Sequence, residues 1–389
     1  MNRRYILGLG ITGFVSTVAL QNNRSTYLNP QFQALDDTTR DFTVVGRASL
    51  RERASAKGLI YGAAARQHVL SADQELAASF AQECGILVPE WELKWNILRP
   101  NKDSFNFTPS DWLFEFARTH NMLFRGHPLV WHEAMPKWFE QTINNQNARE
   151  VLLKHISTVV GHYAGKVHSW DVVNEAIDLK DGRTDGLRNT RWLQFLDPDY
   201  IDIAFRAAAE ADPQALLVYN DYGLDYDSRD DEAKRVAVLK LLERLKSRGT
   251  PVQALGLQAH LQGNTTPFNP KKLKAFLSNV TDLGLKVLIT EMDVKDTRLP
   301  QDSILRERIV AGVYEDYLSA VLENPAVTTV LTWGLSDRYT WLSEDKLPED
   351  EQQLVKPLLL DIQMKRKLAW NAVARTFDKA ARRSGGSKF

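Results

Sequence analysis

The sequence predicts an α/β fold: a single (β/α)8 barrel, also called a TIM barrel. Two observations carry that prediction. Apolar runs of strand length recur eight times, as LIYGAA (59–64), GILVPE (85–90), MLFRGH (122–127), VHSWDVVNE (167–175), ALLVYND (215–221), ALGLQAH (254–260), LKVLITE (285–291) and VTTVLTW (327–333). Between them lie segments such as ADQELAASFAQE (72–83), PDYIDIAFRAAAEA (198–211) and DDEAKRVAVLKLLERLKSRG (230–249), whose apolar residues recur at helical spacing. Strand and helix alternating eight times point to a parallel sheet that closes on itself.

The elements follow in order. Residues 1–22 hold Arg3 and Arg4, then an apolar stretch from Tyr5 to Leu20 that is short for a bilayer span but has the shape of an export signal. The arginine pair followed by Tyr5, Ile6 and Leu7 resembles a twin-arginine signal, so the chain is expected outside the cytoplasm, secreted or periplasmic. An uncleaved stretch would act as an N-terminal anchor. Residues 23–48, with the cluster DDTTRD, are polar and aperiodic and read as a linker. The barrel is expected over 49–378.

Within it, polar residues gather where the strands end, which is where barrels of this type place their chemistry. The second run delivers Glu90 and Lys94, the third Arg125 and His127, the fourth Asn174 and Glu175, and the fifth Asn220 and Asp221. Gln258 and His260 close the sixth, Glu291 and Asp293 the seventh, and Trp333 with Asp337 the eighth. Residues 379–389, ending in RRSGGSKF, read as a disordered tail.

Composition narrows the choice of partner. Lys plus Arg and Asp plus Glu are 49 each, which leaves no electrostatic footprint for nucleic acid or an anionic membrane surface. A monomer acting on a neutral partner is expected. Ten tryptophans suit sugar faces as well as cores, and Trp95, Trp112, Trp170 and Trp192 are assigned to packing. The only cysteine, Cys84, excludes an intrachain disulfide and reads as a buried thiol.

The stretches WDVVNEA (170–176) and VLITEMD (287–293) each end an apolar run in a glutamate. Two carboxylates at one barrel mouth can do paired acid–base work, bind a metal with His127, His260, Asp293 and Glu90, or form ion pairs. No His-Glu-x-x-His pair supports the metal. A glycosidase needs one protonated and one ionised carboxyl, amides for hydroxyl groups and aromatic platforms. Asn174, Gln258, Asn220, Trp131, Trp333 and Trp341 supply that surrounding.

These motifs resemble family-10 glycoside hydrolases, chiefly retaining endo-β-1,4-xylanases. RGHPLVWHEAMPKW (125–138), LGLQAHL (255–261) and TWGLSDRYTWL (332–342) are similar to that family's third-, sixth- and eighth-strand motifs, in the family's order. The resemblance implies that Glu175 is the acid/base and Glu291 the nucleophile, about 5–5.5 Å apart for retention. It further implies that Asn174 binds the sugar 2-hydroxyl, that His260 with Asp293 orients Glu291, and that Gln258 tunes Glu175. Glu90, Trp91, Lys94, His127, Trp131, Asn220, Trp333 and Trp341 are expected to bind substrate, with no metal and no cofactor. Trp91 stands where the family usually has Asn, and Pro128 and Glu133 also depart from the pattern. Another β-linked glycan or conjugate is therefore an alternative substrate, and a non-catalytic carbohydrate-binding protein is a further one.

Overall fold

The computed structural model describes residues 40–263, 268–297, 299–343 and 355–383. The expected export signal (1–22), the first part of the expected linker (23–39) and residues 384–389 of the expected tail lie outside them. Strands β1 (Ile60–Ala65), β2 (Ile86–Pro89), β3 (Leu123–Gly126), β4 (Ser169–Asn174), β5 (Leu216–Asp221) and β6 (Ala254–Leu257) pair in parallel, each with the next. The short strand β7 (His260–Gln262) continues the line of β6. Strands β8 (Lys286–Lys295) and β9 (Val327–Thr332) complete the ring: β6 pairs with β8 and β9 with β1, closing eight strands into the predicted barrel. Strands buried on both faces need no polar alternation, which is why the runs read as nearly continuous apolar stretches.

The helices form the outer layer with their apolar stripes inward. Gln74–Glu83 starts at Asp73, whose carboxylate accepts from the backbone N–H groups of Glu75 and Leu76, and buries Leu76 and Phe80. Arg229–Ser247 starts at Ser228 in the same way, carries Asp230, Asp231 and Glu232 in its first turn, and buries Val238, Leu241, Leu242 and Leu245.

Register shifts occur in the two strands that carry the glutamates. Asp171 faces Val218 and Val173 faces Tyr219, so β4 holds one residue more than β5 just before Asn174. In β8, Ile289 faces Val330 and Met292 faces Thr332, again one residue too many, this time around Glu291. Bulges of this kind re-aim the side chains that follow them. The expected sixth strand is also interrupted: Ala259 takes a left-handed φ of 58°, and β7 resumes with His260 opposite Asp293, just beyond the extra residue of β8.

Two further differences concern the ends. Residues 40–48, read as linker, pack against the barrel: Phe42 is buried in the core, and Arg40 bonds Gly312 O (3.1 Å) on the helix Ser303–Val321. Residues 381–383, read as the start of a disordered tail, are held by Arg383, which donates to Val327 O (3.1 Å) and Leu322 O (2.8 Å). Its guanidinium satisfies carbonyls beneath the barrel, a role that a charged, small-residue composition conceals.

Candidate active site

Glu175 follows the last residue of β4 with φ at 57°, a conformation that costs a non-glycine residue on the order of 1–3 kcal/mol. Both ends of its peptide are held: Glu175 N donates to Asn220 O (2.9 Å) and Arg188 Nε donates to Glu175 O (2.9 Å). The turn aims the carboxyl into the mouth, where Gln258 Nε2 (2.9 Å) and Asn174 Nδ2 (3.2 Å) donate to Oε1. Burial raises the pKa of Glu175; the Gln258 bond opposes this, while the charges of Asp221 and Glu291 reinforce it. The result favours a protonated acid.

Glu291 is biased the other way. Burial works against its charge, but a hydrogen bond from His260, the charges of His127 and His260, and a hydrogen bond from Asn220 outweigh it and lower the pKa. His260 Nε2 lies 3.3 Å from Glu291 Oε2, and its Nδ1 lies 3.1 Å from Asp293 Oδ1. Burial disfavours the imidazolium, yet Asp293 first and Glu291 second raise the His260 pKa well above its ordinary value. Trp341 Nε1 donates to the other oxygen of Asp293 (2.8 Å), fixing that carboxylate.

An amide network joins the two carboxyls from below. Asn220 Nδ2 donates to Asn174 Oδ1 (2.9 Å) and to Glu291 Oε1 (2.7 Å), while its Oδ1 accepts from Thr290 Oγ1 (2.7 Å). Asn220 is fully buried, so the expected substrate contact is corrected: it supports the reacting groups from beneath and has no face toward the mouth. Gly256 makes room for it, since a Cβ there would stand 2.3 Å from Asn220 Oδ1.

The walls hold the remaining expected residues. Lys94 Nζ sits 5.1 Å over the Trp131 ring; burial lowers its pKa against the charges of Glu90, Glu291 and Glu175. His127 is buried, with Nδ1 2.9 Å from Asp171 Oδ2, and stands edge-on to Trp333 at 5.1 Å. Trp333 packs with Ala64, Val88 and Trp341. Glu90 is buried and paired with Arg66 (2.8 Å). The Arg66 guanidinium in turn lies 4.4 Å over the indole of Trp91, which is 38% exposed.

Some partners were not picked out in the sequence. Asp171, inside WDVVNEA, anchors both His127 and Arg125. His132, inside the third-strand motif, places Nδ1 3.9 Å from Glu175 Oε2. Their signal is position within motifs already singled out. Arg188, 13 residues beyond Glu175, carries none.

A closed (β/α)8 barrel whose mouth pairs one carboxyl held toward neutrality with another held ionised, amid indoles and amides, defines a glycoside hydrolase. The chain belongs to glycosyl hydrolase family 10, whose model matches residues 49–376. It is 38% identical over 277 residues to the endo-1,4-beta-xylanase A of Caldicellulosiruptor sp. (strain Rt8B.4), covering 67% of this chain but 39% of that longer protein. The endo-1,4-beta-xylanase 1 of Humicola insolens is 32% identical over 84% of this chain and 74% of its own length. Xylanase 10B from Thermotoga petrophila RKU-1, solved in complex with xylobiose, superposes with a TM-score of 0.78 at 32% identity, covering 87% of this chain and 99% of that one.

Proposed function

We propose that the protein is an endo-β-1,4-xylanase that cleaves xylan by double displacement with retention of configuration. The observation that carries this reading is the opposite bias of two carboxyls tied into one amide network: Glu175 toward the protonated form, Glu291 toward the ionised form. Glu291 attacks the anomeric carbon while Glu175 protonates the departing glycosidic oxygen. Glu175 then takes a proton from water, which displaces Glu291. Asn174 Oδ1 already accepts from Asn220 and Gln258 and one N–H of its Nδ2 goes to Glu175 Oε1, which leaves the second N–H for the sugar 2-hydroxyl, a bond that strengthens as the oxocarbenium-like transition state forms. His260, charged between Glu291 and Asp293, keeps the nucleophile ionised and oriented.

The xylanase relatives and the xylobiose complex support the choice of polymer, and the indoles at the mouth suit its sugar rings. All the groups named come from one chain, which supports action as a monomer. Among the described residues no helix is long and apolar enough to cross a membrane. The arginine pair and apolar stretch of residues 1–22 support export.

The test is hydrolysis of xylan, aryl β-xylobioside and aryl β-cellobioside by the wild type and Glu291→Ala. Xylan turnover lost in the variant is the expected result. Turnover of the aryl glycosides alone would keep the mechanism and transfer the substrate to another β-linked glycan. Binding of xylan without turnover of any substrate would make the protein a carbohydrate-binding one.

A further inference from the structure

We propose that Arg188 is the positioning residue of the acid/base: the chain leaving β4 doubles back to bring this guanidinium against the Glu175 peptide, and so fixes the direction in which Glu175 delivers its proton. The inference rests on the reading of Glu175 as the proton donor of a glycoside hydrolase. After Glu175 the chain runs outward through Ala176, Ile177 and Asp178, turns through residues 179–185 and returns antiparallel to itself. Arg188 N donates to Ala176 O (2.7 Å), Ile177 pairs with Leu187, and Asp178 N donates to Gly186 O (3.0 Å). Gly182 and Gly186 take left-handed φ values of 70° and 73°, which let so short an arm reverse and close. A residue 13 places along the chain is thereby set beside the one that moves the proton.

Every nitrogen of the guanidinium is engaged. Nε donates to Glu175 O (2.9 Å), Nη1 to Asp178 Oδ2 (2.9 Å) and Nη2 to Tyr222 Oη (2.8 Å), the last on the residue just after β5. A rigid planar fork with fixed donor directions holds three partners in one geometry, which a flexible ammonium cannot do. The side chain is only 12% exposed, so these bonds form largely away from competing water.

What the clamp controls is the torsion of one residue. Glu175 sits at a left-handed φ that an unsupported glutamate leaves for an extended or helical one. Glu175 N is held by Asn220 O, a bond between two backbones that no side-chain exchange removes, so the carbonyl end is where a substitution acts. Release of that carbonyl lets the peptide plane turn, and the direction of Cβ turns with it. The carboxyl then loses its alignment with Gln258 Nε2 and with the departing oxygen. Glu291, carried by β8 and held by Asn220 and His260, stays in place. Proton delivery is therefore impaired while nucleophilic attack is spared.

The test is a leaving-group series. kcat/KM, which reports the step that expels the leaving group, is measured on aryl β-xylobiosides from dinitrophenyl to phenyl for the wild type, Arg188→Ala and Glu175→Ala. Dinitrophenolate departs without a proton, whereas phenolate needs one. In Arg188→Ala the dinitrophenyl rate is expected to stay within about threefold of the wild type and the phenyl rate to fall about 100-fold, a dependence in the same sense as that of Glu175→Ala. A part in scaffolding alone lowers every rate by one factor. Equal losses across the series, or no loss, beside a steep dependence in Glu175→Ala overturn the assignment of Arg188 alone. A flat series in Glu175→Ala as well overturns the acid/base reading, and this assignment with it. Should Arg188→Ala fail to fold, Arg188→Lys keeps the charge and most of the bulk without the fork, and the same slope decides: steeper than wild type supports the proposal, and parallel to it overturns it.

Discussion

Asn220 holds Glu291 from beneath, its amide nitrogen 2.7 Å from the carboxylate oxygen and its whole side chain out of reach of solvent. Asn220→Ala removes one of the bonds that lower the Glu291 pKa. That pKa then rises, so the acid limb of the kcat/KM profile is expected to move to higher pH. The pH profile and a denaturant titration check this together. Stability should fall by about 1–3 kcal/mol, since Thr290 Oγ1 and Asn174 Oδ1 lose a buried partner.

The wild-type profile itself should be bell-shaped. Glu291 is depressed and must be ionised, so activity is lost as pH falls through its value; Glu175 is raised and must be protonated, so activity is lost as pH rises through its value. Glu175→Ala should abolish the alkaline limb on aryl glycosides with good leaving groups, because no proton donor is then needed. Azide, which attacks without a base, should accelerate that variant and yield a β-glycosyl azide, detectable by mass spectrometry. An alkaline limb that persists in Glu175→Ala would assign the acid elsewhere.

Gly256→Ala probes the space that Asn220 occupies. A methyl 2.3 Å from Asn220 Oδ1 must push the amide aside, and misplacement of a supporting group by about 1 Å can cost roughly 10²-fold in rate. The expected result is a kcat drop of about 10–100-fold with near-native circular dichroism. Full activity would show that the Asn220 position does not matter to the reaction.

Trp91 offers an exposed indole whose one face rests on the Arg66 guanidinium. Its open face can stack on a sugar distant from the bond cleaved, a contact worth about 1–2 kcal/mol. Trp91→Ala should therefore lower kcat/KM on an aryl xylobioside about tenfold while leaving an aryl xyloside unchanged, and Trp91→Phe should retain most of the difference. Equal losses on both substrates would place Trp91 in general scaffolding.

Much of this molecule was legible in the order of its residues. The eight strands were visible because strands buried on both faces stand out as apolar runs, and the mouth was visible because Glu175 and Glu291 end two of them. Asn220 was misassigned because a polar strand end looks the same whether it faces a ligand or the interior; the nearby Gly256 was the only hint that space had been cleared for it. The break after Leu257 was hidden because Ala259, not glycine, takes the left-handed turn. Residues 40–48 and 381–383 misled because their polar composition masks a few anchoring contacts from Phe42, Arg40 and Arg383.

The extra residue in each glutamate-bearing strand has a further implication. Val172 and Val173 are both buried, so no change of hydrophobic type marks the place where β4 gains a position on its neighbour. Removing Val172 would leave the composition of the strand almost intact and set Asp171 and Val173 against consecutive residues of β5, restoring regular pairing but erasing the bulge that aims Asn174 and Glu175. The direction of the acid/base thus hangs on one supernumerary residue, and a single-codon deletion should misdirect Glu175 while leaving the sheet paired.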